Sequence, residues 1–429
     1  MSELLIIGGT VVDETGRRRA DVRVVDGVVV EVADGLEVGP GAQRLAAGGC
    51  IVAPGLVDLH THLREPGHEE AETVESGSRA AALGGYTAVV AMPNTDPALD
   101  NAAAVRHVLD LGEKALCDVH VAGAITVGRK GEQLAPLAEM ADLGVRLFTD
   151  DGAGVQDSRL MRRALEYAKA LGVTLAQHCE DAALASGGHM HEGGWSSRLG
   201  IPGVPAEAEE LMVARDIALA RLTGGRVHFL HLSAAGSVEL VRRAKADGLA
   251  VTAEAAPHHF TLTDAEVRSY DPVFKVNPPL RTAADVAAEK QGLADGTIDA
   301  IATDHAPHAQ EAKEAPFDQA PPGMLGLETA LSLALGELDL PIERVLALLS
   351  WQPARIAGLT GPGGHGGPVV EGAAANLCVF NAADTWTVDP RASASRSRNT
   401  PYAGRTLTGR VRHTILRGEP VVVDGEAQR

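Results

Sequence analysis

The chain has 429 residues, of which 45% are hydrophobic and only 3% aromatic, so it can bury a large, mainly aliphatic core and exceeds the size of one small domain. Its formal net charge of −19 disfavours nucleic acid and anionic membranes as partners. Four widely separated cysteines, an N-terminus without a basic leader and the lack of a long apolar run predict a cytoplasmic protein without a disulfide framework.

Short β-like runs separated by turn residues occupy both ends of the chain. In the N-terminal part they span residues 4–12, 21–25, 28–32 and 44–52, and in the C-terminal part 375–381, 411–416 and 420–423. Short alternating runs bounded by turn residues are typical of β-strands. We therefore expect residues 1–53 and 366–429 to form one small β-sandwich domain.

Residues 54–365 alternate apolar strand-like runs with alanine-rich helical stretches, which is the pattern of a parallel α/β fold. Eight strands are predicted, at residues 56–62, 86–92, 118–125, 145–149, 173–178, 226–232, 249–254 and 298–303. Helices are predicted at 72–83, 158–171, 207–223, 235–247 and 283–293. Eight strands joined by crossovers favour a catalytic (β/α)₈ TIM barrel over residues 54–365. No G-x-G-x-x-G motif follows the first strand, which argues against dinucleotide binding.

The first barrel strand runs into the segment 58–64, which reads DLHTHLR. Because side chains alternate along a strand, His60, His62 and Arg64 share one face. Two neighbouring imidazoles suit a metal ion, and an arginine suits an anionic substrate. An H-x-H pair alone is equally compatible with ordinary core or surface histidines, so the metal interpretation depends on further ligands.

Further ligand-type residues follow other predicted strands, and the active sites of TIM barrels lie at the carboxyl ends of the strands. They are Asn94 after the second strand, Asp150 and Asp151 after the fourth, His178 and His231 after the fifth and sixth, and Asp304 and His308 after the eighth. Individually, His178 and His231 could be core histidines, and Asp151 could be the N-cap of the next helix. Their convergence favours a metal site, in which one carboxylate can bridge two ions.

These motifs resemble those of dihydroorotases of the amidohydrolase superfamily, of the bacterial type. The signature D-x-H-x-H-x-R stands at 58–64, and the second signature, ATDHAPH, stands at 302–308 with Lys313 downstream. Segments 92–95, 257–259, 275–281, 326–329 and 399–401 also match the family. The resemblance covers nearly the whole chain.

The resemblance implies two Zn²⁺ ions per subunit. His60, His62 and Asp304 would hold one ion, His178 and His231 the other, with Asp151 and a hydroxide bridging them. The choice of Asp151 over Asp150 rests on the resemblance. Many relatives, hydantoinases included, use a carboxylated lysine on the fourth strand, whereas segment 145–151 contains no lysine; this difference favours the dihydroorotase subgroup that uses aspartate.

The implied reaction is the reversible cyclisation of N-carbamoyl-L-aspartate to L-dihydroorotate plus water, the third step of de novo pyrimidine (UMP) biosynthesis. Asp304 would act as general base and then general acid. The family places seven residues against the substrate: His62, Arg64, Asn94, Asn277, His308, Pro322 and Gly323. Segment 309–323, rich in charge and proline, is predicted to be a mobile lid.

Several alternatives stay open at this stage. Arg64 could instead form a surface salt bridge with Glu65 or Glu69, and Asn277 could be a turn residue before two prolines. The enzyme could be a cyclic amidase acting on hydantoins, allantoin or dihydropyrimidines, or the barrel could be a non-catalytic scaffold for aspartate transcarbamoylase. The sequence also leaves open a homodimer and an association with that transcarbamoylase.

Overall fold

A ring of eight parallel strands forms the centre of the molecule in a computed structural model, which describes residues 3–39 and 41–429. The strands are β1 Leu56–Thr61, β2 Tyr86–Ala91, β3 Asp118–Val121, β4 Leu147–Phe148, β5 Thr174–Gln177, β6 Val227–Phe229, β7 Val251–Ala255 and β8 Ala300–Ile301. Seven lie inside the predicted segments, and β7 extends one residue further. The predicted α/β class and TIM barrel are confirmed.

The barrel closes through two short contacts between its two sheets. One sheet has the order β3-β2-β1 and the other β4-β5-β6-β7-β8. Parallel bridges join Gly123 to Phe148 and Thr61 to His305, and the His62 N–H donates to the His305 carbonyl oxygen at 2.9 Å. The last contact ties β1 to the residues after β8, so the two ligand-bearing signatures lie side by side.

Small aliphatic side chains fill the barrel interior, as the low aromatic content requires. This inner cluster consists of Leu59, Val90, Met92, Ala122, Leu147, Ala176, Leu230, Ala300, Ala302 and Ala357. A larger cluster packs the outer faces of the strands against the surrounding helices. The interior is therefore a packed core, which leaves the carboxyl ends of the strands as the place for a site.

Helices cover the outside of the barrel. They span Val74–Leu83, Ala102–Gly112, Leu137–Asp142, Ser158–Leu171, Ala182–Ala185, Gly194–Leu199, Glu207–Thr223, Ala235–Ala246, Ala283–Asp295, Gln310–Lys313, Ala330–Glu337, Ile342–Leu346 and Gln352–Ile356, with a π-helical turn at Ala347–Trp351. The helix predicted from residue 72 begins at Val74, because the Thr73 side chain caps it by accepting a hydrogen bond from the Ser76 N–H. Among the described residues, no helix is long and apolar enough to cross a membrane.

The chain ends build two further sheets. The first has the order Val28–Ala33, Asp21–Val25, Glu3–Ile7, Gln43–Ala46; the second has the order Glu426–Ala427, Glu419–Val423, Thr406–Leu416, Leu377–Thr387, Ile51–Pro54, Thr10–Asp13, Gly16–Arg19. Residues of both ends share one apolar core between them, including Leu4, Val22, Val52, Leu377 and Ile415. This is the predicted β-sandwich.

Several details of the sandwich differ from the prediction. The run predicted as one strand at 44–52 is two strands, Gln43–Ala46 and Ile51–Pro54, in different sheets, and the strand Glu426–Ala427 was not predicted. The run predicted as one strand at 4–12 is two strands in different sheets, because the chain turns at Gly8 with a φ of 81°. The strand Gly16–Arg19 was not predicted at all. The domain limits at residues 53 and 365 stay a prediction, since Ile51–Pro54 pairs with the C-terminal strand and runs almost directly into β1. Residues 1, 2 and 40 of the predicted domain lie outside the described residues.

Candidate metal centre

The two histidines of the H-x-H motif meet the aspartate that follows β8. His62 Nε2 lies 3.2 Å and His60 Nε2 3.6 Å from Asp304 Oδ1. His60 Nε2 also lies 3.3 Å from Asp151 Oδ1. The structure thus brings together four of the predicted ligands, which come from the ends of β1, β4 and β8.

These separations suit a metal ion. Ligand atoms at the corners of a tetrahedral zinc site with bonds near 2.1 Å lie about 3.4 Å apart, close to the three distances above. His60 Nε2 is buried and makes no hydrogen bond. A buried polar atom without a partner is costly, and an ion held between the imidazole and the two carboxylates would satisfy it.

His178 and His231 form a second pair next to the first group. His178 Nδ1 lies 3.0 Å from His231 Nε2, and the His231 ring centroid lies 5.1 Å from that of His60. His231 Nδ1 is buried without a hydrogen-bond partner. Two imidazole nitrogens that face each other are a donor set for a further ion, so all six predicted ligands lie within one group.

The neighbouring Asp150 and Asp151 have different environments. Asp150 Oδ1 accepts hydrogen bonds from the Ile125 and Thr126 N–H groups, both at 2.9 Å, and its other oxygen binds the Thr126 hydroxyl. Asp151 has a φ of 49°, and its carboxylate faces His60. Asp150 therefore fixes the loop at residues 125–126 through hydrogen bonds, whereas the Asp151 carboxylate is positioned to bind a metal ion. The alternative of Asp151 as a helix cap is wrong, because Asp157 caps that helix.

The electrostatics of the group favour a cation beside His60. Burial opposes ionisation of Asp304, but the hydrogen bond from His62 and the nearby histidines hold its pKa well below the ordinary value. Burial lowers the pKa of His60, yet its contacts with Asp151 and Glu254 outweigh that effect and raise the pKa well above the ordinary value. The carboxylates thus create a strongly negative potential at His60, where a cation is favoured.

Sequence reasoning missed the residues that orient the ligands. Glu254 on β7 lies 3.0 Å from His60 Nδ1 and 2.9 Å from His228 Nε2. Burial disfavours its charged form, but these two histidines lower its pKa to about 2. A carboxylate that fixes the far nitrogen of a metal-binding histidine is a common supporting contact. The available signal was an acidic residue inside an apolar strand.

Asp58 supports the same strand from the other side. Its carboxylate accepts from the Thr303 N–H and hydroxyl, both at 2.7 Å, and from the Thr61 hydroxyl. Burial raises the pKa of Asp58 to about 6 despite these hydrogen bonds. The first residue of the D-x-H-x-H-x-R signature therefore ties β1 to the end of β8.

The predicted substrate residues line one cavity of about 330 Å³ above the ligands. Its walls include Arg64, Asn94, Asn277, His308, Pro322 and Gly323, together with His62, Asp151, His178, His231 and Asp304. His60 lies beneath this cavity with no exposed surface. Every residue predicted for the site thus contributes to one place in the fold. Arg129, which no sequence motif marked, also lines it.

Arg64 is held by backbone atoms. Its Nε donates to the Pro307 carbonyl oxygen at 3.0 Å. Glu65 accepts from the Val74 N–H and Glu69 from the Gly67 N–H; within the described residues, neither forms an ion pair with Arg64. The salt-bridge alternative is therefore wrong, and the guanidinium faces the cavity.

The remaining cavity residues are connected by hydrogen bonds. Asn94 Oδ1 lies 2.9 Å from His62 Nδ1, and His308 Nε2 donates to the Pro322 carbonyl oxygen at 2.7 Å. At Gly323 (φ 143°) a Cβ would come within 2.8 Å of His308 Nε2, so glycine is required for this approach. Asn277 lines the cavity, and its side chain forms no hydrogen bond with the described residues. Its role in substrate recognition stays a prediction.

Two lysines tie the predicted lid, 309–323, to segment 272–275. Lys313 Nζ donates to the Pro272 and Pro321 carbonyl oxygens at 2.9 and 2.8 Å. Lys275 Nζ donates to the Phe317 carbonyl oxygen at 2.8 Å. The segment is therefore anchored at its middle and at its end, and its mobility stays a prediction.

A TIM barrel with a β-sandwich and a histidine–carboxylate group at the carboxyl ends of its strands defines a metal-dependent amidohydrolase. A solved structure of the same kind is the L-hydantoinase (dihydropyrimidinase) from Arthrobacter aurescens, with a TM-score of 0.87 and 25% identity over 100% of this chain and 98% of that chain. D-hydantoinase structures match at a TM-score of 0.84.

Sequence comparison narrows the class further. A family model described as dihydro-orotase-like matches residues 49–237. Dihydroorotases from Streptomyces coelicolor and Pelotomaculum thermopropionicum are 52% and 50% identical, over 99% and 98% of this chain and 100% and 99% of their own lengths. The chain belongs to the dihydroorotase family.

Proposed function

We propose that this protein catalyses the reversible cyclisation of N-carbamoyl-L-aspartate to L-dihydroorotate plus water, the third step of de novo pyrimidine biosynthesis. The observation that carries the proposal is the single cavity in which Arg64 and Asn94 lie beside the histidine–aspartate group. Arg64 offers a planar pair of donors that matches a carboxylate. Identity near 50% to dihydroorotases over nearly the full length supports the same substrate.

We assign the ligands to two Zn²⁺ ions. His60, His62 and Asp304 would hold one ion, His178 and His231 the other, and Asp151 would bridge them. Histidine nitrogen and carboxylate oxygen are a donor set that zinc accepts readily. When bound, the ions would polarise the substrate carbonyl and favour deprotonation of the attacking water near neutral pH.

Asp304 carries the proton in both directions. Its carboxylate is ionised at neutral pH, so one oxygen can accept the proton of the attacking water and deliver it to the leaving ring nitrogen. In the synthetic direction the same carboxylate takes the proton from the ureide nitrogen and delivers it to the departing oxygen. His62 Nε2 lies 3.2 Å away, so the carboxylate lies beside the ion that both residues would hold.

The other cavity residues bind and orient the substrate. Arg64, Asn94 and His308 would hold its α-carboxylate, and Asn277 would bind the ureide edge. Backbone groups of Pro322 and Gly323 would complete the contacts. The Pro322 oxygen already accepts from His308, and the Gly323 N–H already donates to the Lys275 oxygen at 2.8 Å. Substrate contacts there would add to these bonds or replace them.

The metal assignment is tested by bound-metal stoichiometry after exhaustive dialysis, with turnover in both directions. We expect about two metals per chain in the wild type and one or none in Asp151→Ala, with activity largely lost, because the bridging ligand is gone. Asp157→Ala is the matched control, since it removes a helix cap and no ligand. Metal and activity retained in Asp151→Ala would move the bridge to another residue.

The substrate assignment is tested by comparing kcat/KM for dihydroorotate and for hydantoin. We expect a preference for dihydroorotate, because Arg64 and Asn94 would pair with a carboxylate that hydantoin lacks. A preference for hydantoin would assign the chain to the other amidases of this fold. A purified protein that binds no metal would instead support the scaffold alternative.

We further infer a cytoplasmic location from the composition, and four buried free cysteines are in keeping with a reducing compartment. A homodimer and an association with aspartate transcarbamoylase are proposals from the resemblance alone. Analytical ultracentrifugation of the chain, with and without that transcarbamoylase, tests both. If this chain sediments at the mass of one chain in both runs, separately from the transcarbamoylase, both proposals are excluded.

A further inference from the structure

A second group of possible ligands lies at the opposite, amino end of the barrel. Asp118 is the first residue of β3 and His120 lies two positions later, so both side chains point to one face. His365 reaches them from the glycine-rich segment 361–367. One ligand atom from each of the three lies within 4.8 Å of the others. The first group plays no part here, since its members follow the carboxyl ends of the strands.

His365 is held in a way that suits a metal ligand. Its Nε2 lies 3.0 Å from Asp118 Oδ2, and its Nδ1 lies 3.0 Å from the Thr87 hydroxyl oxygen. Without an ion, Nε2–H donates to the carboxylate and the hydroxyl donates to Nδ1. With an ion on Nε2, the proton would move to Nδ1 and the hydroxyl would accept it. Thr87 can therefore support both states of the ring.

Hydrogen bonds within the group do not account for His120. Its Nε2 is buried and has no hydrogen-bond partner, which costs free energy unless something binds it. An unpaired imidazole nitrogen close to a carboxylate and a second imidazole is a set of donors that binds metals.

We propose that Asp118, His120 and His365 form a separate Zn²⁺ site. Two histidines and one carboxylate are a donor set that zinc uses with water in the fourth position. Arg417 pairs with Asp118 Oδ1, which leaves Oδ2 for the ion and orients the carboxylate. The inference stands independently of the proposed catalytic function.

The ion would join parts of the chain that are far apart in sequence. β3 belongs to the barrel, segment 361–367 connects the barrel to the C-terminal sandwich strands, and Arg417 follows the strand Thr406–Leu416. A ligand that binds only the folded state stabilises it by mass action. The site would therefore stabilise the junction of barrel and sandwich and leave the chemistry unchanged.

The test is a zinc titration of the dialysed full-length protein, wild type against His120→Gln. We expect the wild type to take up about one more zinc per chain at micromolar concentration, with a rise in Tm that His120→Gln lacks. Turnover should be the same in both. His107→Gln, which changes an exposed histidine, should behave as the wild type. Equal zinc uptake by wild type and His120→Gln would overturn the proposal, as would uptake only at millimolar zinc.

Three further measurements check that His120→Gln folds and that this site is separate from the carboxyl-end group. His120 Nε2 makes no hydrogen bond, so His120→Gln breaks none there and should fold normally, with a metal-free Tm close to that of the wild type. Asp151→Ala should lose the zinc of the catalytic group and keep the additional one. Crystals soaked in zinc should show anomalous density beside His365 Nε2, and density confined to the carboxyl end would contradict the proposal.

Discussion

The two ends of the barrel both gather histidines and carboxylates, but they hold them differently. At the carboxyl end, Glu254 and Asn94 bind the far nitrogens of His60 and His62, so the near nitrogens face Asp304 and Asp151. At the amino end, His365 and Asp118 bind each other directly. Direct contacts between ligands also occur at the carboxyl end, where His62 meets Asp304 and His178 meets His231, so the cavity above that group is what distinguishes it from the amino-end group.

This difference separates two uses of the same residue types. Preorganised ligands around an open cavity serve a reaction, because a substrate can reach the ions. The amino-end ligands lie away from that cavity and would serve stability, because the structure stands without the ion and gains from it. Substitutions at the carboxyl end should therefore change turnover, and those at the amino end should change only zinc-dependent stability.

The largest expected effect is that of Asp304→Asn. An amide cannot accept the proton from the attacking water, so turnover should fall by about 10²–10⁴-fold in both directions. Steady-state rates with N-carbamoyl-L-aspartate and with dihydroorotate measure this, and metal content measured on the same samples separates proton transfer from ligand loss. Asp389→Asn, at an exposed ion pair, is the control. Near-normal turnover in Asp304→Asn would remove the proton-transfer role.

A smaller effect is expected for Glu254→Gln, which changes a supporting contact and no ligand. The carboxamide binds His60 Nδ1 less strongly, so metal affinity or turnover should fall by about 10–100-fold. Competition with a zinc chelator measures the affinity. Glu239→Gln, on the surface, should leave it unchanged. If Glu254→Gln binds zinc as tightly as the wild type, the contact from Glu254 does not prepare His60 for the metal ion.

Asp150→Asn should affect stability without affecting the metal. Asp150 accepts from two backbone N–H groups and the Thr126 hydroxyl, and an amide cannot accept at both oxygen positions. Leaving buried donors unpaired costs about 1–3 kcal/mol, so the Tm should fall while the two dialysis-resistant metals remain. Loss of metal in this variant would mean that Asp150, and not only Asp151, belongs to the ligand group.

The sequence allowed the carboxyl-end group to be predicted because its members follow strands. His60, His178, His231 and Asp304 each stand at or just past the end of an apolar run, and a barrel brings all such positions to one end. Strand ends are visible as the point where an apolar pattern stops. The fold and the ligand group therefore followed from the same pattern, and the family resemblance then assigned the roles.

The amino-end group was not predictable for the converse reason. His365 comes from the glycine-rich segment 361–367, which has no periodic pattern, and only the packed fold brings it to Asp118. Glu254 stands out as an acidic residue inside an apolar strand, but its partners His60 and His228 lie on other strands, so its role was missed. The break at Gly8 was missed because a glycine inside an alternating run does not reveal which sheet each half joins. In each case a contact between segments far apart in sequence determines the structure, and the local sequence pattern does not identify that contact.

The smallest expected effect is a pH-dependent change in stability on replacing Lys313, which anchors segment 309–323 at the carboxyl end of the barrel. Burial, together with the nearby Lys275, lowers the pKa of Lys313 from 10.5 to about 7. Between about pH 7 and 10.5 the unfolded chain binds the proton that the folded chain has lost, so the Lys313 contribution to stability rises with pH, by at most about 1.4 kcal/mol per unit. Lys313→Met removes this contribution.

The free energy of unfolding of Lys313→Met minus that of the wild type should therefore become more negative as the pH rises from 7 to 9, because only the wild type gains stability from this group. Denaturant unfolding at pH 7, 8 and 9 measures the difference, with the exposed Lys130→Met as the control. Parallel curves would mean that the ammonium stays charged, held by the Pro272 and Pro321 carbonyl oxygens. A KM that rises in Lys313→Met with kcat unchanged would further indicate that the hydrogen bond from Lys313 to the Pro321 carbonyl oxygen positions Pro322 and Gly323 for the substrate.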